Sequence, residues 1–229
     1  MSPPRRTISQ KSELVQDVHV YGVNWDTREI YLHPHNNNTD GEVDWNMAQQ
    51  LIKNLTFLSH LNKNKEPVLI HMITSGGEWE YGWAIYDAIL QCQCPVSILA
   101  YGLATSISSL MFQAADYRVL MPSTEFHIHF GTCPFSSDDQ WKSVQSNVLW
   151  HKRSIDILLD VYAEKAQQGQ YFKSKKWGLK RIKNYIIEQI TKKQEWYMTP
   201  REAINMGFAD AILGDDGYEN VAALLKSEE

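Results

Sequence analysis

Residues Val68–Ala115 read VLIHMITSGGEWEYGWAIYDAILQCQCPVSILAYGLATSISSLMFQAA, and their alternation decides the fold. VLIHMI (Val68–Ile73) is an unbroken apolar run of strand length, closed by the turn Thr74-Ser75-Gly76-Gly77. Such a run suits a strand covered on both faces. EWEYGWAIYDAILQ (Glu78–Gln91) has helical spacing, with Trp79, Trp83, Tyr86 and Leu90 on one stripe. VSILAY is the next strand and SISSLMFQAA the next helix, followed by the strands YRVLM and FHIHF around the turn MPSTE. This alternation predicts a parallel sheet with right-handed crossovers.

Upstream, residues 1–17 are rich in Pro, Arg, Ser and Lys and read as a flexible arm, leaving 18–229 as a single domain. A strand, REIYLHP, begins at Arg28, and the stretch His35 to Asp44 is dense in turn residues. Asp44 caps a helix running to Leu61, with Met47, Leu51, Leu55 and Leu58 on one face. Downstream, Ser136 to Ala166 has a long helical period carrying Trp141, Val144, Val148, Ile155, Leu158 and Val161. Tyr171 to Gly178 reads as a polar, aromatic loop, and another helix extends to about Thr191. TPREAINMG (Thr199–Gly207) carries a cap, an N1 proline, a box glutamate and a closing glycine; ADAIL is a last strand.

The composition narrows the function classes. Of 229 residues, 43% are apolar, enough for a full core, and the formal charge of -5 favours neither nucleic acid nor an anionic membrane. The basic run Lys173–Lys183 reads as a solvated helix face. No apolar run approaches the ~20 residues of a membrane span. The odd cysteine count (Cys92, Cys94, Cys133) fits no disulfide framework and suits a reducing cytoplasm. The alternating pairs Cys92/Cys94 and His127/His129 share strand faces, but one-residue spacing is unusual for structural zinc and no second pair accompanies them. No metal and no cofactor are expected.

Two strand-to-helix turns stand where open α/β sheets build their sites. At Thr74–Gly77 the glycines let backbone N–H groups approach an anion. At Thr105-Ser106-Ile107 a hydroxyl meets the positive end of a helix. His129 lies at the end of a later strand, and Glu195 stands upstream of the last helix. Taken singly, each has an ordinary reading as cap, core histidine or surface charge.

In order, VLIHMITSGGEWEYGWAIYDAI, CPVSILAYGLATSISSLMFQAA, LMPSTEFHIHF and EWYMTPREAINMGFADAIL resemble the Clp protease proteolytic subunit family, over about Ile30 to Leu213. The resemblance implies an α/β fold of the ClpP/crotonase type, a superhelix of repeated ββα units with a protruding helical handle at about 134–191. It places Ser106 on the family's nucleophile, His129 on its general base and Glu195 where the family has aspartate. Gly77 and Ile107 fall on the two oxyanion-hole positions. It implies a serine endopeptidase acting on unfolded proteins or peptides, assembled as a heptameric or double-heptameric ring with an AAA+ unfoldase as partner.

Departures are Ser75 for proline, Ser108 for glycine, Glu195 for aspartate, the glycine-poor FGTCPFSSDD, and a longer segment near Gly169 to Ile186. They motivate the alternatives of a catalytically degenerate ring subunit and a dedicated processing protease, for example of a viral capsid precursor. A crotonase-type acyl-CoA enzyme would leave Ser106 and His129 together unexplained.

Overall fold

The structure is a computed structural model that describes residues 8–32, 41–61, 65–132, 136 and 140–226. Chain order begins with helix α1 (Ile8–Tyr21) and strands β1 (Val23–Asn24), β2 (Glu29–Leu32) and β3 (Glu42–Val43). Helix α2 (Trp45–Leu61), β4 (Val68–Thr74), β5 (Gly76–Gly77) and α3 (Trp79–Leu90) follow. Then come β6 (Val96–Thr105), α4 (Ile107–Phe112), β7 (Tyr117–Leu120) and β8 (Glu125–Ile128). The chain closes with α5 (Trp141–Ala166), α6 (Gln170–Lys175), α7 (Leu179–Lys193), β9 (Trp196–Met198), α8 (Pro200–Met206), β10 (Ala211–Ile212) and a 3-10 turn at Val221–Leu225.

The main sheet runs β1-β2-β4-β6-β7-β10, parallel from β2 onward. Its centre is fully buried: Val68, Leu69, Ile70, Ile98, Leu99 and Val119 show almost no exposure. Strand β6 changes partners along its length. Ser97–Ala100 pair with β7, whereas Leu103–Thr105 pair with β8. Between them Gly102 takes φ +65°, where a side chain would be strained although nothing would obstruct it. The fork steers the end of β6, and Ser106 beyond it, out of the main sheet and toward β8. An antiparallel partner, β9, extends the branch, with His127 opposite Tyr197 and Ile128 opposite Trp196.

The α2 expectation agrees with the structure: Met47, Leu51, Leu55 and Leu58 are buried, and the Asp44 carboxylate accepts the Met47 N–H at 2.8 Å. At α8, Thr199 and Glu202 form the capping box, with Pro200 in the first turn and Gly207 left-handed at the end. Helix α3 differs from its expected stripe. Gly82, Ile85, Tyr86 and Ile89 face inward, whereas Leu90 is half exposed. The closest packing chose the smallest residue: a Cβ at position 82 would lie 2.1 Å from Ile107 Cγ1 on α4. A count of apolar residues passes over such a glycine.

The expected loop Tyr171–Gly178 contains α6 instead. Phe172 is buried there amid Trp177, Tyr185 and Tyr171, so a cluster of four aromatic rings holds a helix inside a polar sequence. Part of the segment expected as a flexible arm is α1, whose Val15, Val20 and Tyr21 are about half exposed. Residues 1–7, most of the turn-rich stretch from His35, and Cys133 lie outside the described residues. Among the described residues no helix is long and apolar enough to cross a membrane.

Candidate active site

Four adjacent hydroxyls end β6 and open α4, and each is spoken for. Thr105 Oγ1 donates to the Ser75 carbonyl at 2.7 Å, clasping β6 to the Gly-Gly turn. Ser108, fully buried, accepts the Thr105 N–H at 3.1 Å and lies 3.0 Å from the Thr74 carbonyl. It thereby fills with hydrogen bonds the place where the resemblance expects glycine. Ser109 Oγ donates to the Ser106 carbonyl at 2.7 Å and meets the Tyr162 hydroxyl of α5 at 2.6 Å. Ser106 alone among the four turns to an imidazole: its Oγ is 2.7 Å from His129 Nε2.

Ser106 also holds an unusual backbone, φ +56° and ψ -133°. For a residue with a Cβ this costs on the order of 1–3 kcal/mol, and such strain collects at functional sites. A sharp strand-to-helix turn of this kind projects the side chain outward. The fit depends on Gly76, where an added Cβ would stand 2.6 Å from Ser106 Cβ.

Glu195 stands immediately before β9, and the β8/β9 ladder brings it beside His129. Its Oε2 is 3.2 Å from His129 Nδ1, so hydroxyl, imidazole and carboxylate line up. The same oxygen is closer to another imidazole, at 2.5 Å from His127 Nε2. His127 is buried and stacks on Tyr197, with ring centroids 4.3 Å apart. Burial lowers its pKa, the neighbouring His129 lowers it further, and the Glu195 hydrogen bond opposes both. A neutral His127 therefore donates its Nε2 proton to Glu195. Residue reasoning had paired His127 with His129 on one strand face but gave it no part in the site. Its partner comes from 68 residues away in sequence.

Gly77 and Ile107 occupy suitable positions for amide donors. Ile107 is the first residue of α4, so its N–H has no partner within the helix. On β5, Val43 lies opposite Gly77, and the Val43 carbonyl takes the N–H of Glu78. The ladder to β3 therefore leaves the Gly77 N–H on its other side. Gly77 cannot be enlarged, because a Cβ would lie 2.4 Å from the Val43 backbone. Gly77, Ser106 and His129 share a cavity of 590 Å³ with Glu78, Trp79, Gly131, Trp150 and His151. That volume falls within the usual range of ligand pockets.

Known proteins resemble this chain over most of its length. Residues 19–216 match the family model described as Clp protease. An ATP-dependent Clp protease proteolytic subunit from Deinococcus radiodurans is 27% identical over 180 residues, covering 78% of this chain and 79% of that protein. A second relative, ATP-dependent Clp protease proteolytic subunit 2 from Treponema denticola, is 30% identical over 105 residues, 45% of this chain and 48% of the relative. Among solved structures, a ClpP1 mutant from Listeria monocytogenes superimposes with a TM-score of 0.64 at 20% identity. The alignment covers 87% of this chain and 96% of that one, and it speaks to the fold.

Proposed function

This chain belongs to the Clp protease family, serine peptidases that work within an oligomeric chamber, and from that premise we propose that Ser106, His129 and Glu195 form its catalytic triad. The observation that carries the proposal is the 2.7 Å approach of Ser106 Oγ to His129 Nε2, at a strained turn opening into the cavity. Neither a degenerate ring subunit nor an acyl-CoA enzyme is favoured by the family match.

The reaction follows from the placement of these groups. His129 Nε2 takes the Ser106 proton as Oγ bonds to a peptide carbonyl carbon, and the carbonyl electron pair moves onto oxygen. The N–H groups of Gly77 and Ile107 receive that oxyanion; one such donor is worth about 10²–10³ in rate. The intermediate collapses, the C–N bond breaks, and the imidazolium gives its proton to the departing amine. Water, deprotonated by the same nitrogen, then hydrolyses the acyl-enzyme. Glu195 orients His129 through Nδ1, while His127 holds the same oxygen of the longer carboxylate. Hydrogen bonds of this kind are often loose before substrate arrives, which accommodates the 3.2 Å spacing.

The proposal extends to a single domain over 18–229, a cytoplasmic location, a ring of seven copies or two stacked rings, and a Clp ATPase that feeds unfolded substrate. Supporting the ring, α5 leaves Trp141, Val148, Leu149 and Ile157 exposed along its length. Fluorophosphonate labelling and peptide cleavage by the wild type, both absent in Ser106→Ala, would support the triad; undiminished cleavage by the variant would remove Ser106 from the mechanism. Native mass measurement tests the ring, and a stable monomer would contradict it.

A further inference from the structure

Glu195, the carboxylate proposed to orient the base, is shared by two imidazoles rather than one. His127, His129 and Glu195 each offer one ligand atom, these atoms all lie within 4.8 Å of one another, and the three residues sit on or directly beside the paired strands β8 and β9. Two imidazoles and a carboxylate make a donor set that zinc accepts in catalytic sites, where a fourth position stays open to water. We propose that this triangle is a binding site for Zn²⁺ or a similar borderline divalent cation, and that the bound ion switches off the general base. The inhibitory half rests on the triad assigned above; the binding half does not.

The geometry is close to what an ion needs. With bonds of about 2.0–2.2 Å, tetrahedral ligands sit about 3.4 Å apart. The Glu195 oxygen is now 2.5 Å from one imidazole nitrogen and 3.2 Å from the other. Both spacings must therefore open, and the element able to move is the half-exposed carboxylate, not the buried His127 ring. His127 is already fixed by its stack on Tyr197, so one ligand is held before any ion arrives.

Binding moves protons without net release. A neutral His129 carries its proton on Nδ1, facing Glu195, and accepts from Ser106 at Nε2. When Nδ1 gives its lone pair to the ion, the ring's proton resides on Nε2. That nitrogen then has no lone pair for the Ser106 proton, and attack on a carbonyl stops. His127 makes the same exchange, ligating through Nε2 and carrying its proton on Nδ1. Removing the ion restores the original tautomers, so the inhibition is reversible.

The test uses the full-length chain in two arms. In the first, Ser106→Ala, freed of self-cleavage, is titrated with ZnCl2 by calorimetry and with Co²⁺ by visible absorption. One ion per chain with the intense bands of tetrahedral Co²⁺ is expected. Adding His127→Ala or Glu195→Gln should weaken binding about 100-fold or more, since even supporting partners of metal ligands are worth about 10–100-fold. Glu195 is half exposed, so its variant reports on the site even if the His127 variant fails to fold. In the second arm, ZnCl2 should suppress fluorophosphonate labelling of the wild type, and a chelator should restore it. No binding by Ser106→Ala, or equal binding by Ser106→Ala/Glu195→Gln, overturns the site. Binding without suppression of labelling overturns the switch, and binding by a chain that never labels leaves the site standing while the peptidase reading falls.

Discussion

Among the described residues two glutamates, Glu29 and Glu195, hold histidines, and only Glu195 holds one that faces a serine hydroxyl. On the sheet, His71 Nε2 is 2.8 Å from Glu29, and its Nδ1 is 2.9 Å from the Tyr101 hydroxyl. Tyr31 stacks on the ring at 4.7 Å and also donates to Glu29. Burial would raise the Glu29 pKa, but hydrogen bonds from Thr27, His71 and Tyr31 outweigh it and lower the pKa overall. Burial and the Glu29 charge push Tyr31 up to about 12. Every polar edge of that imidazole is occupied by a group that holds still. In the other pair, the nitrogen far from the carboxylate meets Ser106 on a strained turn beside a cavity. A histidine with a carboxylate is a common structural unit. What stands at its second nitrogen separates a brace from a catalyst.

That contrast can be broken most severely at Ser106. Ser106→Ala should lower kcat by about 10⁴–10⁶, read by peptide cleavage, because triad members act as a unit. Glu195→Gln should cost less, about 10²–10⁴, since losing the orienting acid leaves nucleophile and base in place. Gly76→Ala should reduce kcat by about 10² with substrate affinity less affected, because its methyl group must displace Ser106. At the structural pair the expectation reverses. His71→Ala should leave kcat within about twofold and lower stability by about 1–3 kcal/mol in denaturant titration, as partly buried partners go unpaired. Equal losses of activity at His71 and Glu195 would erase the distinction.

A further histidine, His151, supplies the smallest effect. His151 packs edge-on to Trp79, and its burial lowers the pKa against an opposing hydrogen bond to the Phe130 backbone. The unfolded chain protonates it at the ordinary value of about 6.5, and the folded chain only at lower pH. Its contribution to stability is thus complete above about pH 6.5 and declines as pH falls below that value. Replacing His151 with Phe should flatten that part of a stability–pH curve.

Much of the frame was legible because its signals are local. The runs at Val68 and Val96 are strands whatever surrounds them, and the Thr199 box closes within one turn. The βα turns at Gly77 and Ser106 can be located by alternation alone, and Glu195 stands out as the carboxylate upstream of the last helix, but its role comes only from the family resemblance. Local pattern could not give the partner change of β6, which depends on two later strands, nor the inward face of α3, which depends on Ile107. Nor could it show His127 on Glu195, because the antiparallel register of β8 and β9 creates that contact. The four hydroxyls after Gly102 posed a question that only their separate partners answer.

The ladder between β8 and β9 also sets a time of onset. A ribosome delivers Ser106 and His129 well before it delivers Glu195, and the strand that carries the acid pairs only after α5 to α7 have been made. Between the synthesis of His129 and that of Glu195 the chain thus carries the serine and imidazole of the proposed triad without its carboxylate.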